Sequence, residues 1–188
     1  MDIREHSITL VSVIVGLGLT ELLANLNRLV RARAEVRWHA LPLLWAGVCL
    51  LLVVNLWWGI YLGAIGIATP SSAGEFLLYL AVPVLLYLVC AAVLPDRDAA
   101  AAPDLRRAYF AGSRYFSTLL LAYVAATMLQ AWLGGGHVEW TSVTAALRAG
   151  ILVVLLPLVW VRAPWYHWSV ATFMLGILAL RMATQTLH

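Results

Sequence analysis

Six apolar runs, each about as long as a bilayer is thick, decide what this chain can fold into. A helix needs about 20 apolar residues to cross a hydrocarbon core of ~30 Å. The runs lie at 8–30, 40–65, 75–94, 115–133, 143–161 and 166–186. Inside hydrocarbon every backbone amide and carbonyl must find its partner within the protein, so runs of this length fold as helices. Composition agrees: 63% of residues are hydrophobic, 11% are charged and the mean hydropathy is +0.90, where soluble domains carry roughly a quarter charged residues. The expectation is an all-α integral membrane bundle of six transmembrane helices, forming one domain over residues 1–188. The longest polar connection, 95–114, is too short to bury a core of its own. A separate soluble catalytic domain is thereby excluded.

The breaks between runs are chemically marked. Thr69-Pro70-Ser71-Ser72, Leu94-Pro95-Asp96, Gly134-Gly135-Gly136 and Ala163-Pro164 all stop or start helices. Pro83 and Pro157 fall inside runs, where each frees a backbone carbonyl and kinks its helix. Pro103 suits a first helical turn, and the mixed sequence after it predicts a short interfacial helix on the inner leaflet. Asp2 and Glu5 beside Arg4 argue against a cleaved signal peptide.

All twelve basic residues are arginine. Without lysine there is no Schiff-base chemistry, which rules out retinal and lysine-dependent pyridoxal sites. Arg28, Arg31, Arg33 and Arg37 follow the first run, Arg97, Arg106, Arg107 and Arg114 the third, and Arg162 the fifth. By the positive-inside rule these alternate connections face the cytoplasm and both termini face the periplasm. Arg31, Arg33, Arg37, Arg106 and Arg107 are expected to meet anionic lipid or a partner protein, with no role for nucleic acid. Tryptophans follow the same map. Trp38, Trp160, Trp165 and Trp168 fall at the inner boundary with Trp45 slightly deeper, and Trp57, Trp58, Trp132 and Trp140 at the outer one, as an aromatic belt requires.

One charge stands inside a run. Glu21 lies about 10 Å from the inner boundary of the first span, and Asn25 and Arg28 follow at i+4 and i+7 on the same helical face. A carboxylate at that depth is costly and needs a partner. Three readings compete: a structural contact with Asn25 or Arg28, an ion or proton site, and general acid/base work on a lipid-linked substrate. No second acid lies inside a span, so paired-carboxylate catalysis has no support. Asn55, Gln130, Arg148 and Arg181, from four different spans, share the outer third. They either line a polar vestibule or bond across helices while the arginines snorkel. Cys49 and Cys90 read as inert buried thiols. His39 and His167 share the inner boundary but do not make a haem pair by pattern alone. No metal and no cofactor is expected.

The opening Val11-Ser12-Val13-Ile14-Val15-Gly16-Leu17-Gly18-Leu19-Thr20-Glu21-Leu22-Leu23, its arginine-rich exit and the tryptophan-rich second span resemble small uncharacterised bacterial multi-span membrane proteins. The resemblance covers the first two spans and implies a membrane fold without an assigned activity. Arginine-only, alanine- and leucine-rich usage suits a GC-rich bacterial genome and the bacterial inner membrane. The leading functional expectation is an oligomeric ion channel or ion-coupled transporter, not an enzyme, with the bilayer, further copies of the chain and an inorganic ion or proton as partners. A non-catalytic scaffold or sensor using the arginine-rich loops is the alternative, and a small lipid-modifying enzyme the third.

Overall fold

The apolar runs fold as helices in the computed structural model, which describes residues 3–61, 73–95, 104–133 and 143–185. The helices are α1 (Ile3–Arg31), α2 (Ala40–Tyr61), α3 (Ala73–Ala92), α4 (Leu105–Leu133), α5 (Val143–Leu155) and α6 (Pro164–Gln185), with a 3₁₀ turn at Leu156–Val159 between the last two. Among the described residues the only β-type pairing is an isolated bridge between Arg37 and Asp104. Ile8–Arg31, Ala40–Ile60, Gly74–Ala92 and Leu105–Leu133 are each long and apolar enough to cross a membrane. The expected turns at 69–72 and 134–136 lie outside the described residues.

The expected fifth and sixth spans, α5 and α6, are not among those four, and two elements differ in extent from the sequence expectation. The fifth run is not one helix from 143 to 161. Pro157 lacks an N–H and crowds the preceding turn, so the α-helix ends at Leu155 and the chain tightens into 3₁₀. At 13 residues α5 is about 20 Å long, short of the ~30 Å core. The fourth run begins ten residues early. Asp104 caps α4 by accepting the Arg107 N–H on Oδ1 (3.1 Å), so the expected interfacial segment and the span are one helix of 29 residues, about 43 Å.

The packing order follows from which faces are apolar. α2 is apolar on all sides and has the most enclosed window of the four long helices. It touches α1, α3, α4 and α6. α1 buries Val11, Val15, Gly18, Leu22, Asn25 and Leu29, a 4-3-4-3-4 spacing that keeps one stripe against a neighbour. Its principal partner is α3. At Gly18 an added Cβ would sit 3.3 Å from the Tyr87 Cα, so the missing side chain is what lets the two backbones come this close. Trp45 leaves the boundary belt expected for it. It is fully buried, edge-on to Phe116 at 5.2 Å between ring centroids. Outward, Leu77, Val153 and Leu180 remain about two-thirds exposed, a distribution that suits lipid as solvent.

The carbonyl freed by Pro83 is paired across helices. Pro83 cannot donate to the carbonyl of Tyr79, four residues back. The Gln130 side chain of α4 donates to that carbonyl and to that of Leu78, both at 3.2 Å. Near Pro157 the Tyr166 hydroxyl donates to the carbonyl of Val154, three residues back at the α-to-3₁₀ transition, at 2.8 Å. Gln130→Leu should therefore cost about 1–2 kcal/mol in a detergent unfolding titration. In a Pro83→Ala background, where the substituted residue supplies the missing N–H, the same change at Gln130 should cost much less. Zero coupling in that double-mutant cycle would show that Gln130 does not act through this carbonyl.

Candidate functional site

The polar face of α1 closes into a ladder. The Asn25 amide donates to Glu21 Oε1 at 3.2 Å, the Arg28 guanidinium donates to Asn25 Oδ1, and Arg28 also stands 3.5 Å from Glu21 Oε1. The i, i+4, i+7 spacing stacks the three side chains over two turns. Asn25 lies on the buried stripe at 3% exposure, while the Glu21 and Arg28 side chains flank it at 38% and 43%. An amide thus sits inside, with a carboxylate above it and a guanidinium below it at the bundle surface. The carboxamide uses its donor on the acid and its acceptor on the base, which matches its chemistry at both ends. Earlier in the helix and on another face of α1, Gly16 is exposed and open, and the Thr20 hydroxyl bonds the Gly16 carbonyl at 2.8 Å.

Of the expected vestibule residues, Gln130 and Asn55 have defined surroundings. Gln130 spends its amide on α3. Asn55 of α2 is half-buried, and among the described residues its Nδ2 has no hydrogen-bond partner. Arg181 is exposed on α6, and the side chain of Arg148 lies outside the described residues.

At the opposite end three loops come together. Leu105 N–H donates to the Arg37 carbonyl at 3.2 Å, which makes the Arg37–Asp104 bridge and joins the exit of α1 to the start of α4. Arg31, Arg33, Arg37, Arg106 and Arg107 are all exposed there. The Arg107 amide holds the Asp104 carboxyl below its ordinary pKa, helped by the Arg106 amide and the charges of Arg37 and Arg107. The cap is therefore intact above the usual carboxylate range and is lost as pH falls through the depressed value.

His167 ties in the third loop. Its Nε2 lies 2.9 Å from the Val161 carbonyl and its Nδ1 2.8 Å from the Tyr109 hydroxyl. A carbonyl only accepts, so Nε2 carries the hydrogen and Nδ1 accepts from Tyr109. Tyr109 and Phe110 pack edge-on to the imidazole at 5.5 and 5.3 Å. With both nitrogens engaged and zero exposure, His167 offers no ligand to a metal or haem. Among the described residues no group of three metal-ligating side chains forms. Sequence reading missed this Tyr109–His167–Val161 clasp. The signal available was only that Tyr109 and His167 belong to same-side connections.

No family model, curated protein or solved structure matches the chain.

Removing the middle rung tests the ladder. Asn25→Leu preserves size but leaves Glu21 and Arg28 without their bridge, and should cost about 1–2 kcal/mol of helix-packing stability by detergent unfolding. Glu21→Gln keeps an acceptor for the Asn25 amide and should cost less. An Asn25→Leu variant as stable as the parent would show that the ladder holds nothing together.

Proposed function

We propose that the chain is a six-span bacterial inner-membrane protein, assembled from several copies, that carries protons or small inorganic cations past Glu21. On this reading α5 with its 3₁₀ extension and α6 supply the last two spans, and the arginine-rich end faces the cytoplasm. The observation that supports it is the placement of the ladder. Two ionisable side chains flank a buried amide at the rim of α1, so their polar ends reach the protein surface instead of being sealed in the core. Charged groups at membrane depth face a bundle interior or a water-filled path, because hydrocarbon offers them no partner. Left at the rim, Glu21 and Arg28 can be covered by a neighbouring copy, and the water or ions between copies then meet the carboxylate. Arg28 neutralises Glu21 at rest, and an arriving proton or cation competes with the guanidinium for the same oxygen.

Flux from proteoliposomes tests this. Under a pH or cation gradient, Glu21→Gln should slow flux about tenfold or more, the effect of ~1.4 kcal/mol on a barrier. Equal flux in the two proteins, or no flux in either across pH and voltage, contradicts the reading.

A further inference from the structure

The three loops that meet at the arginine-rich end carry more than a topology signal. The Arg37–Asp104 bridge joins the segment that carries Arg33 and Arg37 to the start of α4, which carries Arg106 and Arg107. The His167 clasp brings Val161, and with it the adjacent Arg162, against Tyr109 at the start of α4. All five guanidinium side chains are exposed. Among the described residues of this end the acids are Asp104, whose Oδ1 caps α4, and Glu35, exposed on the turn. Orienting a chain in the membrane requires only that arginines lie in the correct loops. It does not require loops far apart in sequence to be bonded into one surface.

The same end exposes aromatic surface. Trp38, Trp160, Trp165 and Trp168 are 36–69% exposed. Trp38 donates from Nε1 to the Arg33 carbonyl at 3.4 Å, and His39 stands 6.1 Å from Trp168 between ring centroids. Exposed indoles mark headgroup level, where an apolar ring and a polar N–H are both satisfied. Guanidinium groups at that level present paired donors to phosphate oxygens. We propose that this arginine–tryptophan collar binds the phosphates of anionic phospholipid headgroups. An acidic protein would need the arginines but gives no reason for the ring of indoles at the same height. The proposal rests on the membrane reading and is independent of conduction through Glu21.

Tryptophan quenching in vesicles tests it with the intact chain. Vesicles of phosphatidylcholine containing brominated phosphatidylglycerol are compared with vesicles containing brominated phosphatidylcholine. At about fivefold per arginine, the intact protein should favour the anionic lipid at its surface by fivefold or more, and the preference should fall as salt rises. Substituting R33Q, R37Q, R106Q and R107Q together should bring the two lipids near parity, with helix content checked by circular dichroism. The salt titration needs no variant, so the test survives a variant that fails to fold. Equal quenching by both lipids in the intact protein overturns the proposal and leaves the collar to an acidic protein. So does loss of the preference on adding millimolar inorganic phosphate, which would mark a site for the free anion.

Discussion

Four helices long and apolar enough to cross a membrane leave little water to reach a polar group between them, and a backbone carbonyl that loses its helical partner there needs a donor from the protein. Each carbonyl that a proline sets free must be met by a donor from another helix. Gln130 meets the carbonyl released by Pro83, and Tyr166 meets that of Val154 near Pro157. These bonds link α3 to α4 and the α5 exit to α6, so the stretches next to the prolines also serve as attachment points. The His167 clasp obeys the same rule at the edge of the core, with both imidazole nitrogens engaged.

Against that background the α1 ladder stands apart. Its central amide is enclosed and fully used, yet its charges lie at the rim. The core stripe of α1, from Val11 to Leu29, needs no charge for packing against α3. The ladder is thus an addition to the helix seam, placed where another molecule can reach it. The segments that carry the arginines and tryptophans are tied into the core by Val36, Leu105 and Tyr109 and to one another by the Arg37–Asp104 bridge and the His167 clasp.

Much of the fold was legible in the sequence because hydropathy reports local composition. α1 to α3 overlie the apolar runs that predicted them, and Pro157 was visible as a disturbance, whose effect was a change of helix type. The early start of α4 escaped notice because Arg106, Arg107 and Arg114 lower the local hydropathy, while the cap that begins the helix depends on Asp104 geometry. The contacts within the Glu21 face were legible because they follow helical spacing on one element. Contacts between elements were not. Gln130 was visible as a polar residue at a certain depth, but its role depends on α3 and α4 being neighbours. Tyr109 and His167 are 58 positions apart, and no local pattern joins them. Trp45 looked like a belt residue because only its distance from a span end was readable, whereas its burial depends on Phe116 across the bundle.

Everything here depends on the exposed apolar faces lying in hydrocarbon, and spin-label accessibility measures that directly. Labels at Leu17→Cys, Leu77→Cys and Leu180→Cys, in a background lacking Cys49 and Cys90, report collisions with oxygen and with a water-soluble nickel complex in bilayers. Ala34→Cys, on the exposed turn after α1, serves as the aqueous reference. A membrane-embedded bundle predicts that oxygen outcompetes nickel at all three apolar positions and that the order reverses at position 34. Nickel access at positions 17, 77 and 180 equal to that at 34 would contradict it.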